Sequence, residues 1–551
     1  MVAPPVTPIT LPYSDYSTVE ATLPHASARR ARRHIAAWFD RYARERVSWR
    51  ERNRYYYDEL ARLAQKTIPP GARVLELGCG VGDLLAAVQP SLGVGIDISE
   101  EMVRVAQERH AGSDLVFVRG DVHDLPLGCT FDYIICSDLI GHLDDIQAAL
   151  MRLRAVCTAQ TKVLITYYNF AWHSILSFAE QVGLKMPQDQ QNWLGMADVE
   201  NLLHLADFAV AERGARLILP KAVPGVAPLL NEAAIRVPGA HHLALISYWV
   251  VEPRLARLPA EPLSCSVIVP CRNEEGNIEA CIERLPDIGT HTEVIFVDGA
   301  STDRTRERIL DVIERYRGTK DIKLIDQVPE ALKRAEAAEP GEAGQPVKML
   351  RLGKGDAVRK AFAAATGDVL MILDADLTVP PEDLPKFLEP LAAGKAEFVN
   401  GTRLVYPLDG EAMAFHRMLG NRFFSILFTW LLEQRIKDTL CGTKVLRKRD
   451  YELLAANRSY FGDFDPFGDF DLLFGAARLG LRIVEVPVRY RRRTSGHTKV
   501  QFFSHGILLL KMSLIAFRRL KLARWLGDPN ARIARPLPTS ADLPSARVTS
   551  F

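Results

Sequence analysis

The chain has 551 residues, a formal net charge of +2, 48% apolar residues and 25% charged ones. That length exceeds what one core supports, so two or three domains are expected, and the composition is that of ordinary globular proteins. The near-neutral charge excludes a dedicated nucleic-acid binder. Eight scattered cysteines without a Cys-x-x-Cys pair exclude a zinc or disulfide framework and read as reduced thiols in a cytosol.

Residues 1–28 are rich in Pro, Ser and Thr and lack an apolar core, so neither a signal peptide nor a fixed structure is expected there. Residues 29–57 interleave arginines with aromatics. Ile35, Trp38, Phe39 and Tyr42 share one face of a helix. The basic side reads either as a solvated face packed on the next domain or as a surface for an anion or a lipid.

Arg73-Val-Leu-Glu-Leu-Gly-Cys-Gly-Val-Gly-Asp-Leu-Leu85 is a buried strand, then Gly78, Gly80 and Gly82, then a helix. Glycines at such a turn let the backbone approach a ligand. The next strand ends at Asp97, about 20 residues after Glu76, placed to accept from ribose hydroxyls. A third strand, 115–118, leads to Asp121, and a fourth, 131–137, leads to His142; Leu243–Val251 reads as the last strand of the sheet. Strands alternating with helices predict a parallel doubly wound sheet.

The run Glu-Leu-Gly-Cys-Gly resembles the first motif of the class I S-adenosylmethionine-dependent methyltransferases, over roughly residues 55–170 and more loosely to 252. The resemblance implies that Glu76, Gly78, Gly80 and Gly82 hold the methionine part of the cofactor, Asp97 the ribose and Asp121 the adenine edge. His142 stands where many small-molecule methyltransferases carry a histidine near the acceptor. It reads as a general base or as a residue that caps a helix or lines the pocket.

Residues 253–263 carry several prolines and no apolar period, and read as a semi-rigid linker. A second sheet follows. Ser266–Asn277 is a buried strand turning into a helix, Glu293–Asp298 is a strand, and Gly353-Lys-Gly-Asp356 opens a helix whose N-terminus suits an anion. Residues 319–348 between them read as a surface loop. The strand Val369–Leu373 ends in Asp374-Ala-Asp376, two hard carboxylates where open α/β sheets bind ligands, suited to Mg²⁺ or Mn²⁺ carrying a diphosphate.

The order and spacing of these pieces over residues 264–500 resemble the family 2 inverting glycosyltransferases of the polyprenyl-phosphate sugar synthase branch, which includes dolichol-phosphate mannose synthase. That likeness implies a nucleotide-sugar donor, with Pro270, Asn273, Glu274 and Asp298 lining the nucleotide pocket. Asp374 and Asp376 would hold the metal, and Lys354, Arg403, Arg493 and Lys499 would grip anionic oxygens. Asp471 would be the general base for a hydroxyl acceptor, or a positioning group for a polyprenyl phosphate, which is already ionised near pH 7. Thr378 stands where these synthases commonly carry Gln, so water replaces a third protein ligand.

Phe423–Leu432 and His505–Phe517, the latter followed by Arg518, Arg519, Lys521 and Arg524, read either as core helices or as helices lying in a membrane interface. Neither segment is long enough to cross a bilayer. From Gly527 onward a disordered tail is expected. The fold class expected is therefore α/β with two doubly wound domains: a Rossmann-like methyltransferase sheet at 29–252, and a GT-A type sheet at 264–526. The function implied is a bifunctional, cytoplasmic enzyme with a peripheral membrane surface as one option. Its rivals are a soluble polysaccharide-type glycosyltransferase and a non-catalytic nucleotide-sensing scaffold.

Overall fold

The structure is a computed structural model. It describes residues 26–125, 127–169, 172–189, 191–237, 243–254, 260–328, 353–407, 415–460, 468–491, 493 and 502–528. Of the ends expected to be disordered, 1–28 and 527–551, residues 1–25 and 529–551 lie outside those residues, as do 329–348, the middle of the linker and Lys499; 26–28 begin a helix, and Asp321–Asp326, expected within a surface loop, form a strand. The chain divides into two compact units, Met1–Arg257 and Leu258–Phe551.

In the first unit α1 (Ala26–Arg52) and α2 (Arg54–Thr67) precede a sheet of β1 (Arg73–Leu77), β2 (Leu92–Asp97), β3 (Leu115–Arg119), β4 (Phe131–Ser137), β5 (Cys157–Tyr168), β6 (Phe208–Arg216) and β7 (Ile246–Pro253). Their order is β3-β2-β1-β4-β5-β7-β6. β1 pairs in parallel with both β2 and β4, so the chain reverses its direction of winding there, and the C-terminal ends of all three strands share one edge. Another helix, here α3 (His173–Gln181), follows β5.

The apolar stripe read from α1 is real but faces inward. Ala43, with Phe39 and Val47, packs against Val81 and against Met102 and Val105 of the Glu100–Arg109 helix. Arg46, between those positions, lines the cavity at the strand ends together with Arg32, whereas Arg41 and Arg44 are exposed.

The second unit holds β8 (Cys265–Cys271), β9 (Thr292–Asp298), β10 (Asp321–Asp326), β11 (Val369–Ile372), β12 (Phe398–Thr402), β13 (Lys444–Arg447) and β14 (Ile483–Pro487), in the order β10-β9-β8-β11-β13-β12-β14. β8 pairs in parallel with β9 on one side and β11 on the other. Helices α4 (Gly353–Ala364), α5 (Phe415–Leu432) and α6 (Phe502–Ala516) cover it. Val358 and Phe362 of α4, Phe428 and Leu431 of α5 and Met512 of α6 fall in one buried cluster with Ile268 and Leu370 of the sheet.

Both sheets are α/β, as expected, but neither is wholly parallel. β7 runs antiparallel to β5 and β6, and β13 antiparallel to β11 and β12. A buried strand reads as the same apolar run in either direction; direction is fixed by where the preceding connection crosses the sheet. For the same reason 246–253 lies between β5 and β6 and is not the last strand in space.

Candidate functional site

In the first unit the edge formed by β1, β2 and β4 borders a cavity of about 300 Å³. Gly78, Gly80, Asp97, Asp121 and His142 all line it; Glu76 and Gly82 do not. Gly78 and Gly80 have φ of +69° and +52°, a region where L side chains are strained. Side chains there would also collide: a Cβ on Gly78 would stand 2.9 Å from Leu139, and one on Gly80 3.3 Å from Arg46 Nε.

Asp97 staples this turn. Its Oδ2 accepts from Gly80 N–H at 2.8 Å and its Oδ1 from Ser99 N–H at 2.9 Å. Glu76 acts behind it, with Oε2 accepting from Leu85 N–H at 3.0 Å, and burial pushes its carboxyl up to about 8. Gly82 lies beneath the Phe117 ring, 2.5 Å from where its Cβ would be. Asp121 accepts from His123 N–H and Nδ1 and pairs with Arg32 Nη1 at 3.1 Å. Against its burial, His123 and Arg32 hold it down to about 2.

His142 has Gln191 Nε2 at 3.1 Å from its Nε2. Burial, with Arg46 and Lys185 nearby, pushes its imidazole down to about 3, so the ring is uncharged at neutral pH. Three lining residues were not singled out from the sequence. Arg46 Nε is buried without a hydrogen-bond partner. Tyr56 OH donates to Asp138 Oδ2 at 2.7 Å, and Asp138 Oδ1 is a buried oxygen with no hydrogen-bond partner. The alternation of arginine and aromatic in 29–57 was the visible signal for Arg46 and Tyr56; which side of the helix met the cavity was not.

In the second unit Cys271 stands in register with Asp298, and Ile372 with Ile268, so Asn273, Asp298, Asp374 and Asp376 gather at one sheet edge. Asp298 is 1% exposed and accepts from Ser301 N–H at 3.3 Å. Asn273, at φ +54°, accepts at Oδ1 from Thr302 N–H at 2.8 Å. Pro270 continues β8 beside Val297. Glu274 N–H donates to Thr305 Oγ1 and its Oε2 accepts from Asn277, so these residues tie two loops together.

Lys354, at the start of α4, donates to Asp374 Oδ1 at 2.5 Å. Gly442 lies against this pair, where a Cβ would stand 2.1 Å from Asp374 Oδ2 and 2.7 Å from Lys354 Nζ. Asp376 Oδ1 accepts from Thr378 N–H and Oγ1, and Oδ2 pairs with Arg493 Nη2 at 2.8 Å. A Mg²⁺ or Mn²⁺ held by these two hard carboxylates would have to share them with Lys354 and Arg493. Among the described residues no group of three or more His, Cys, Asp or Glu forms a closed metal cage.

Arg403 is committed inward. Its Nε and Nη2 close a fork on Asp438 at 2.7 and 2.8 Å. Asp471 accepts from Arg458 Nε at 2.8 Å, in a small pocket lined also by Arg359 and Tyr451. Asp469, two residues earlier, faces the other way. It lies 3.4 Å from the fully buried Lys444, and its charge, after that of Asp374, helps hold the Lys354 ammonium protonated against burial. The sequence motif named the second acid of Gly468-Asp-Phe-Asp471; the α-helical turn sends the two acids to different neighbours.

Residues 48–213 match the family described as methyltransferase domain, and residues 266–335 and 344–453 that described as glycosyl transferase family 2. A dolichol-phosphate mannosyltransferase of Pyrococcus furiosus is 29% identical over 249 residues, 43% of this chain and 60% of that protein. A dolichyl-phosphate hexose transferase of Haloferax volcanii is 31% identical over 249 residues, 45% of this chain and 90% of that protein. The chain spans 60% and 36% of the lengths of the mannosyltransferase and of Glycosyltransferase AglD of Haloferax volcanii. A solved S-adenosylmethionine-dependent methyltransferase of Thermotoga maritima, 18% identical, covers 40% of this chain and 100% of its own, with a TM-score of 0.33. The chain is an enzyme that carries a methyltransferase domain and, through its second half, belongs to glycosyl transferase family 2.

Proposed function

We propose that residues 264–526 transfer a hexose from a UDP- or GDP-sugar to a polyprenyl phosphate, by single displacement with inversion at the sugar. Residues 29–252 would carry out S-adenosylmethionine-dependent methyl transfer. The observation that carries the first reading is the meeting of Asp374, Asp376, Lys354 and Asp298 at the ends of parallel strands. Asn273 and Asp298 set the loop that faces a nucleotide, with Pro270 and Glu274 fixing the strand end beneath it. A divalent cation on Asp374 and Asp376 would neutralise the leaving diphosphate. Lys354 keeps Asp374 ionised and oriented, Arg493 pairs with Asp376, and both cations lie where diphosphate oxygens would arrive. Arg403 shapes the site through Asp438.

A phosphate acceptor is ionised near pH 7, so it needs little help from a base, and Asp471, held by Arg458, orients it. The lipid acceptor is favoured by surface chemistry. Phe423, Ile426 and Trp430 on α5, Leu510 and Leu514 on α6, and Trp525 are large apolar side chains between 45% and 65% exposed. Arg518 and Arg519 are exposed beside them. The inward faces of the same two helices are core. Among the described residues no helix is long and apolar enough to cross a membrane, and such a face suits peripheral contact.

In the first unit Gly78, Gly80, Asp97 and Asp121 border the space for the cofactor, which supplies an electrophilic methyl group. The unpartnered Arg46 Nε beside Gly80 suits the cofactor's carboxylate. Glu76 and Gly82 hold the turn from behind. His142, uncharged and of low proton affinity, orients the acceptor more than it removes a proton. The decisive experiment is a screen of UDP- and GDP-sugars with Mn²⁺ or Mg²⁺, reading nucleotide release with and without polyprenyl phosphate. Release that requires the lipid phosphate is expected; release without regard to it would point to a glycan acceptor.

A further inference from the structure

The helix α3 is unusual in this fold because none of its residues is buried. It nevertheless carries Ile175 at 54% exposure and Phe178 at 63%, and the turn after it carries Val182 at 49% and Leu184 at 55%. Two of these, Ile175 and Leu184, also line the cavity of the first unit. The apolar face on the surface is therefore continuous with the cavity wall. Trp172, at the head of α3, lines the same cavity and donates from Nε1 to Leu243 O at 2.9 Å, and Leu243 is itself 64% exposed.

The inner part of the cavity has the opposite character. Asp138, at φ +53°, is held by Tyr56 through one carboxylate oxygen and leaves the other buried without a hydrogen-bond partner. A buried acceptor atom of this kind is costly unless a ligand supplies a donor. His142 and Gln191, also on the wall, add two more hydrogen-bonding groups. One end of the space thus asks for an O–H or N–H, and the other offers hydrocarbon a path to the surface.

We infer that the methyl acceptor is an amphipathic molecule: a head group whose O–H or N–H donates to Asp138, on a hydrocarbon chain that leaves the cavity across Ile175, Leu184 and Phe178. This rests on the methyltransferase reading and specifies its substrate class. A water-soluble acceptor would leave those side chains in water with no gain, whereas a chain laid over them buries apolar surface on both partners.

The test uses the full chain saturated with S-adenosylhomocysteine and a ladder of n-alkanols from hexanol to decanol, read by tryptophan fluorescence, since Trp49 and Trp172 line the cavity. Affinity should rise by up to about fourfold with each added methylene. The slope should flatten in Ile175→Asp/Leu184→Asp and, more weakly, in Phe178→Asp, which is exposed enough to leave folding intact. A flat ladder in the wild type, or the same slope in the variants, overturns the inference. So does an unchanged slope with a loss of oligomer mass in the variants, which would assign the face to a second copy of the chain. Failure to bind S-adenosylhomocysteine at all would instead remove the methyltransferase reading on which the inference stands.

Discussion

Lys354 and Asp374 come from segments 20 residues apart and meet as a hydrogen-bonded ion pair, Nζ to Oδ1 at 2.5 Å, at the end of β11. Their side chains are 23% and 29% exposed, so the pair is only partly screened. Burial opposes the charge on both, but Asp374 and Asp469 push the lysine up, and Lys354, Lys444 and Arg403 push the aspartate down. Lys354→Met should lower sugar-nucleotide turnover by roughly 10²-fold, the scale of one lost charge-stabilising group. Folding should weaken by about 2 kcal/mol, the scale of a charged hydrogen bond. Nucleotide release and urea unfolding would measure the two.

Asp376→Ala should abolish the Mn²⁺- or Mg²⁺-dependent part of that turnover. Asp471→Asn should leave a tenth or more of it, with the pH profile unmoved, because a phosphate acceptor is already ionised. A profile that loses its acidic limb in Asp471→Asn would return Asp471 to the role of base.

Lys444 has no exposed surface, donates to Cys441 O at 2.6 Å and lies 3.4 Å from Asp469. Lys444→Met strips the buried Asp469 of its nearest cation and should cost about 3–5 kcal/mol. Adding Asp469→Asn should recover a large part of that loss. Equal and additive losses in the double-mutant cycle would show that the two side chains do not interact.

Glu76 ionises at about 8 in the folded chain because it is buried, against roughly 4.3 when unfolded. A raised folded value means its contribution is complete below pH 4, declines as the unfolded chain gives up its proton first, and is gone by pH 8. Glu76→Gln stays neutral and can still accept from Leu85. Its melting temperature relative to wild type should therefore rise between pH 5 and pH 8, while affinity for S-adenosylhomocysteine changes less than about threefold, since Glu76 does not line the cavity.

The exposed apolar residues of α5 and α6 should matter for lipid contact and not for the core. A Phe423→Asp/Ile426→Asp/Leu510→Asp/Leu514→Asp variant should stay folded and lose sedimentation with anionic liposomes. Unchanged pelleting would assign the face to another partner.

The sequence alone determined the elements. Apolar runs that end in glycine or aspartate marked β1, β9 and β11, and one that ends at Pro270 and a polar turn marked β8, because a buried strand and its abrupt polar end are written within a few neighbouring residues. The two-family resemblance followed from the same local spellings. What only the tertiary structure decided was direction and company. It turned β7 and β13 antiparallel and aimed Arg32 and Arg46 of α1 into the cavity of the first unit. It gave Arg403 to Asp438 and separated Asp469 from Asp471 within one helical turn. It also made α5 and α6 at once core and surface. These depend on which distant segments meet, and a side chain's partner 20 or more residues away leaves no mark on its own sequence neighbourhood.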